Sequence, residues 1–265
     1  MIIVLDPKAT KADVDHLIEK IHSLELRTMV SKGTERTIVG VIGDESLLRG
    51  EPLEAYSGVE KVLAIQTPYK MVSAESTGGK PRPINLGKGV KLGGKEIVVM
   101  AGPCTIESRE RTLKLAKYVK AKGAKVLRGG AFKPRTSPYD FQGLGEQALE
   151  WLAEAGKKHD MLIVTEMMDV RDLDLFEKYA DIIQIGARNM GNVDLLAAVG
   201  KTQKPILLKR GLANTVEDFL MAAEEVYAQG NHRVILCERG IRTFETTTRF
   251  TLDVGSIPVL KAKSH

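Results

Sequence analysis

The stretch Lys125-Val-Leu-Arg-Gly-Gly-Ala-Phe-Lys-Pro-Arg-Thr-Ser-Pro138 concentrates groups that bind anions. A short apolar run ends in Arg128. A loop held by Gly129, Gly130, Pro134 and Pro138 then presents Lys133, Arg135, Thr136 and Ser137. Arginine offers a planar fork of donors to carboxylate or phosphate, and lysine a compact charge. Such a loop suits capture of a small anion. A solvated basic loop is the plain alternative, and it loses ground because the arrangement recurs. Later apolar runs are followed by Glu166, Arg188, Lys209-Arg210 and Glu238-Arg239, and an earlier one by Gly102-Pro103-Cys104.

These groups need elements to hold them. Apolar runs at 97–101, 124–127, 161–165, 181–185, 205–208 and 233–236 alternate with amphipathic segments. Asn192 is predicted to open one helix, and Asn214 with Glu217 to form a capping box for another. Alternation of this kind implies a parallel sheet, either rolled into a barrel or left open. In a TIM-type (β/α)8 barrel all strand C-termini converge on one mouth, whereas in an open sheet six such ends string along an edge. Chemistry after every strand favours the barrel, of which about six βα units are present.

Residues 1–71 read as a small α+β unit. A strand at 2–5 precedes a helix capped by Thr10 with Asp13, and Val14, Leu17, Ile18, Ile21 and Leu24 form its apolar stripe. Strands at 27–30 and 37–42 flank Lys32-Gly33-Thr34-Glu35, a hairpin signal. A weaker helix at 45–56 and a strand at 59–65 complete a ferredoxin-like order. His16 and His22 fall on the polar side of the first helix. Nothing in the unit gathers chemistry, so a binding or regulatory role is expected. Residues 72–94, rich in Gly and Pro, read as a linker with a short hairpin, and 95–265 as the barrel domain.

Composition narrows the partners. The net charge of +5 is modest and aromatics are 5%, which argues against a base-stacking nucleic-acid surface. No apolar run approaches membrane-spanning length, and the N-terminus lacks the features of a signal peptide. Cys104 and Cys237, far apart, suggest no disulfide framework, so a cytoplasmic protein is expected. Gly143-Leu-Gly145 has the wrong continuation for a nucleotide fingerprint, and no Walker loop occurs.

A shared mouth brings Arg128, Lys133, Arg188, Lys209 and Arg239 together. Five cations repel one another unless an anionic ligand offsets them, so a ligand carrying carboxylate and phosphate together is expected. One or two of the five are expected to pair with Glu166, Asp169 or Glu238. Taken alone, Cys104 reads as a buried inert thiol, although its position also suits a soft metal ligand or a nucleophile. Cys237 reads as core, Met167 and Met168 as packing beneath the mouth, and His232 as lying at the opposite end.

Five motifs carry a resemblance: Ala-Gly-Pro-Cys-Thr-Ile-Glu-Ser (101–108), Arg-Gly-Gly-Ala-Phe-Lys-Pro-Arg-Thr-Ser-Pro (128–138), Ile-Gly-Ala-Arg-Asn-Met (185–190), Leu-Leu-Lys-Arg-Gly (207–211) and Cys-Glu-Arg-Gly-Ile-Arg-Thr-Phe-Glu (237–245). The chain resembles the 3-deoxy-D-arabino-heptulosonate 7-phosphate (DAHP) synthases of type I, in the subgroup with a ferredoxin-like domain ahead of the barrel. That family condenses phosphoenolpyruvate with erythrose 4-phosphate at the entry to the shikimate route. The resemblance implies that Arg128, Lys133, Arg188, Lys209 and Arg239 hold phosphoenolpyruvate, with Lys133 and Arg128 catalytic. It implies that Arg135 and Thr136 bind the phosphate of erythrose 4-phosphate. The related synthase of the eight-carbon sugar acid carries a different loop there, so Lys-Pro-Arg-Thr-Ser favours the four-carbon acceptor.

The resemblance also implies that Cys104 is one ligand of a divalent metal (Mn, Fe, Co or Zn class) that polarises the aldehyde. The family's other ligands, a His, a Glu and an Asp, belong to barrel units expected after His265, so a barrel shortened at its C-terminal end is expected. An aromatic amino acid effector at the N-terminal domain and a homo-oligomer are implied too. A second reading stays open: an inactive remnant that binds a phosphate ligand or an aromatic amino acid.

Overall fold

The computed structural model describes residues 1–32, 36–48, 50–63, 67–135 and 137–265, with residues 45 and 46 described in the backbone alone. Its N-terminal unit contains β1 (Ile2–Leu5), α1 (Lys11–Ser23), β2 (Arg27–Lys32), β3 (Thr37–Ile42) and β4 (Val59–Leu63). The strands form an antiparallel sheet of order β2-β3-β1-β4, the ferredoxin-like arrangement. Thr10 caps α1 in a full capping box: its hydroxyl accepts from the Asp13 N–H, and its own N–H donates to the Asp13 carboxylate at 2.8 Å. The turn predicted at 32–35 lies in its residues 33–35 outside the described residues.

The helix predicted at 45–56 is corrected to two 3-10 turns, Glu45–Leu48 and Leu53–Ala55. Between them stand Gly50, which favours the unfolded chain, and Pro52, which has no N–H to continue a helix.

Alternation along β1 explains why all four of its residues are buried. Ile3 and Leu5 point into a core with Leu17, Ile21, Val39 and Val41, beneath α1. Ile2 and Val4, on the other face, join the main core of the large domain. The small unit is therefore packed on the large one rather than tethered to it.

An antiparallel hairpin, β5 (Ile84–Gly87) and β6 (Val90–Leu92), leads into the large domain. Six βα units follow: β7 (Met100–Ala101), α2 (Arg109–Ala121), β8 (Val126–Arg128), α3 (Glu146–Lys158), β9 (Leu162–Met167), α4 (Leu173–Tyr179), β10 (Ile182–Ile185), α5 (Val193–Gly200), β11 (Ile206–Lys209), α6 (Val216–Ala228), β12 (Val234–Cys237) and α7 (Ser256–Lys263). The strands are parallel and lie in chain order, with β7 and β12 at the two edges: six units of a (β/α) barrel, left open between them.

The two faces of this sheet separate cleanly. Leu127, Ile163, Ile183, Leu208 and Val234 pack outward against the helices. Val126, Leu162, Val164, Ile182, Leu207 and Ile235 pack inward, around Ile84 and Leu86 of the hairpin, which plugs the N-terminal end. The strand predicted at 97–101 shortens to two residues. Ile97 is 91% exposed, and β7 has a neighbour on one side only. The capping box predicted at Asn214 and Glu217 is corrected by one residue to Thr215 and Asp218. The Asn214 carbonyl is instead held in the preceding loop by Arg210 Nε at 3.1 Å.

Candidate functional site

Strand alternation decides which side chains reach the inside of the arc. Arg128 follows Val126 by two residues, Lys209 follows Leu207, Cys237 follows Ile235, and Glu166 follows Val164, so all four share the inward parity. They stand at the C-terminal ends of their strands, above the apolar floor.

One pocket at this end is lined by Pro134, Glu166, Gly186, Ala187, Arg188, Lys209, Leu212, Arg239, Arg249 and Phe250. It brings together three of the predicted cations, Arg188, Lys209 and Arg239. Burial pushes the Lys209 ammonium below its usual range, with the Arg128 charge acting the same way and Glu166 partly opposing both. Arg128 is thus close enough to be felt from this pocket. Glu166 is placed by a hydrogen bond from Gln184 Nε2 at 3.0 Å, and by the absence of a side chain at Gly186. A Cβ there would lie 2.0 Å from Glu166 Oε1.

The remaining predicted cation, Lys133, lies on the β7–β8 side. Its Nζ donates to the Cys104 carbonyl at 2.9 Å and approaches Cys104 Sγ at 3.2 Å. Arg128 Nη1 donates to the Pro103 carbonyl at 3.0 Å, on the same loop. This loop can run so close to β8 because Gly102 has φ +155°; a Cβ there would lie 1.9 Å from the Arg128 carbonyl oxygen. The reading of Cys104 as a buried thiol is corrected: it is exposed, and the Lys133 ammonium draws its thiol below the ordinary range. Arg135 is exposed, with Nε donating to the Phe141 carbonyl at 3.2 Å. Thr136 lies outside the described residues.

A partly buried triad ties the last two loops together. Arg210 Nη1 donates to Glu238 Oε2 at 3.1 Å and to Asp253 Oδ2 at 2.7 Å, and Glu238 Oε1 accepts from the Gly240 N–H at 2.5 Å. The pairing expected for Glu238 falls on Arg210, and Arg239, next to Glu238, turns to the pocket. Arg239 stacks on Phe250 at 4.0 Å from the ring centre, and Arg249 lies 5.1 Å from it. Arg249 and Phe250 carry no signal in a rule that looks just after strands, since both lie well beyond β12. They return because Ile241 and Thr251 exchange both backbone hydrogen bonds, at 2.8 and 2.9 Å.

Among the described residues no three His, Cys, Asp or Glu side chains converge. Cys104 is a soft donor biased towards thiolate, but its side-chain neighbour is a cation, and the described residues do not make up a metal centre. His232 lies at the far end: it precedes β12 and faces Ser31 of the small unit.

Known proteins share this architecture. Residues 73–265 match the DAHP synthetase I family, and residues 1–67 match the DAHP synthase ferredoxin-like domain. Phospho-2-dehydro-3-deoxyheptonate aldolase of Thermotoga maritima is 48% identical over 265 residues, covering 100% of this chain and 78% of the relative. The crystal structure of a Thermotoga maritima protein of that name, also described as DAHP synthase, superposes with a TM-score of 0.73 at 46% identity. That superposition covers 100% of this chain and 77% of the other. 2-Dehydro-3-deoxyphosphooctonate aldolase of Geobacter sulfurreducens is more distant, 32% identical over 190 residues and 68% of each chain.

Proposed function

The chain belongs to the DAHP synthetase I family, and from that membership we propose that the mouth of its barrel binds phosphoenolpyruvate and joins it to erythrose 4-phosphate with consumption of one water, giving DAHP and phosphate. The observation that carries the reading is the meeting of Arg188, Lys209 and Arg239 in one pocket. Phosphoenolpyruvate carries its phosphate ester and its carboxylate on the same enol carbon. The cations match it in two groups: Arg188, Lys209 and Arg239 on one side, Arg128 and Lys133 on the other. Such preorganised charge holds the substrate and offsets the negative charge of the departing phosphate. Arg135, on the loop bordering the site, and its neighbour in sequence Thr136 are assigned to the phosphate of erythrose 4-phosphate. The reading of the chain as a binding remnant is not favoured, given 48% identity to the Thermotoga protein along the whole chain.

Cys104 is the one donor these residues offer to the divalent metal expected of the family. The aromatic amino acid effector is assigned to the small domain; its family match and its direct packing on the barrel domain support this. We place the domains at 1–71 and 95–265, joined by 72–94. A homo-oligomer is supported by large apolar side chains left in solvent, Tyr139 at 96% and Phe244 at 99% exposed among them. No helix of the described residues is long and apolar enough to cross a membrane. A reducing, cytoplasmic setting is supported by two free cysteines.

Titration calorimetry with phosphoenolpyruvate tests the site. Arg188→Ala is expected to weaken binding by about 1.5–3 kcal/mol, the scale of a charged hydrogen bond, and to slow formation of the seven-carbon product, followed by mass spectrometry. Unchanged affinity and turnover in Arg188→Ala would remove the pocket from the reaction.

A further inference from the structure

We propose that Arg249, held over the barrel mouth by the ring of Phe250, is a further arm of the phosphate site and contacts the phosphate group of phosphoenolpyruvate; this rests on the reading of the site given above. The loop between β12 and α7 leaves the pocket at Gly240 and returns to it. Its base is closed by the reciprocal hydrogen bonds of Ile241 and Thr251, and the Arg242 N–H donates to the Leu212 carbonyl at 2.8 Å. That closure sets the last residues of the return, Arg249 and Phe250, beside Arg239.

Phe250 then serves two guanidiniums at once, Arg239 at 4.0 Å and Arg249 at 5.1 Å from the ring centre. A ring face attracts a cation, so each contact is favourable by itself. Two like charges on one ring still repel, and both line the pocket that also holds Arg188 and Lys209. Their carboxylates are missing: among the described residues, none of Arg188, Arg239 and Arg249 forms a salt bridge, and Glu166 is the one acidic side chain lining the pocket. Arg210, between the same loops, shows the opposite pattern. It is buried, and two carboxylates satisfy it.

The same pair of loops thus contains one neutralised arginine that holds structure and two uncompensated ones aimed at a common space. A phosphate dianion is the complement of two planar forks and a lysine, because its oxygens accept from several donors together. Arg249 is exposed, so carrying it unpaired costs the free chain little, and the phosphate gains a donor when it arrives.

Calorimetry on the full chain separates the possibilities, with phosphoenolpyruvate and pyruvate as probes; pyruvate keeps the carboxylate and lacks the phosphate. Arg249→Ala is expected to weaken phosphoenolpyruvate binding tenfold or more, Arg249→Lys by less, and pyruvate binding by less than twofold. Phe250→Leu is expected to lose part of the affinity and Phe250→Tyr to keep it. Arg242→Ala, an exposed arginine of the same loop, is expected to change nothing. An Arg249→Ala protein that binds within twofold of the parent, while Arg188→Ala loses tenfold, would overturn the proposal and leave the site intact. Equal weakening of pyruvate, or a loss seen with erythrose 4-phosphate alone, would overturn it as well. If the unsubstituted chain bound no phosphoenolpyruvate, both this proposal and the reading of the site would fall.

Discussion

The Lys133 ammonium lies 3.2 Å from Cys104 Sγ while donating to the carbonyl of the same residue at 2.9 Å. A cation held so close to an exposed thiol favours the thiolate. Cys237 is the opposite case, since burial pushes its thiol up.

Alkylation by iodoacetamide near neutral pH should therefore modify Cys104 well ahead of Cys237. Lys133→Met should slow the Cys104 reaction several-fold and leave Cys237 unchanged, as read by mass spectrometry of the labelled peptides. An equal Cys104 rate in Lys133→Met would mean that the contact does not set the thiol's charge.

The burial of Lys209 in the pocket costs the ligand-free fold stability. Burial and Arg128 lower its pKa, so the folded chain gives up this proton more readily than the unfolded chain. The unfolded state then binds more protons over that interval, and stability rises with pH from the lowered native value up to the ordinary lysine value. Lys209→Met should stabilise the ligand-free chain by about 0.5–2 kcal/mol and flatten that alkaline rise. The same variant should weaken phosphoenolpyruvate binding by about 1.5–3 kcal/mol. Thermal melts with and without the ligand measure both effects, and a destabilised variant would contradict the account.

Much of this site could be read along the chain, because apolar runs that stop at a charge are strand ends in a parallel fold. Arg128, Arg188 and Lys209 were reachable in that way. What each strand end faces is set by parity relative to the floor, so Cys237, which reads as core from its apolar neighbours, packs on the inner cluster and also pairs with Lys209 across the strands. Arg249 was hidden, since a loop closed by Ile241 and Thr251 delivers it from a distance. Ser31 and Glu224 were hidden for a similar reason: their partners lie 196 and about 150 residues away in the chain. Tyr69 and Met71, just before the Gly/Pro-rich stretch, and Val72 at its start are buried at the junction. The helix expected at 45–56 is replaced by two short turns, with Gly50 and Pro52 standing between them.

Glu224, 7% exposed on α6, clasps the start of that junction. Its carboxylate accepts the N–H groups of Lys70, Met71 and Val72 at 2.9, 2.8 and 2.9 Å. Glu224→Ala orphans these donors in a buried place and should cost about 3–5 kcal/mol. Burial outweighs the three donors and raises the Glu224 pKa. The unfolded chain therefore loses this proton first as pH climbs, and stability falls from the ordinary carboxylate range up through the raised native value. Urea melts at stepped pH should show that fall in the parent and a flatter profile in Glu224→Gln. A flat profile in both would show that Glu224 does not titrate in this window.

His232 supplies the matching acid-side prediction at the same junction. Its Nε2 lies 2.9 Å from the Ser31 hydroxyl of β2, its ring stacks on Tyr227 at 4.9 Å, and Arg82 and His265 add like charge nearby. Burial first, then those two charges, lower its pKa from 6.5 to about 4. Below pH 6.5 the unfolded chain takes up a proton that the folded chain refuses, so stability falls with acid until the native group also titrates. Each pKa unit is worth about 1.4 kcal/mol, and the loss from this residue between pH 8 and pH 5 is about 2 kcal/mol. Because the protonated ring would press against Ser31, hydrogen exchange in β2 and in the end of α6 should quicken first as the pH drops. His232→Asn should remove most of that acid sensitivity. His265, also lowered by burial, should account for part of what remains. A variant with the parent's full pH slope would place the acid sensitivity elsewhere in the fold.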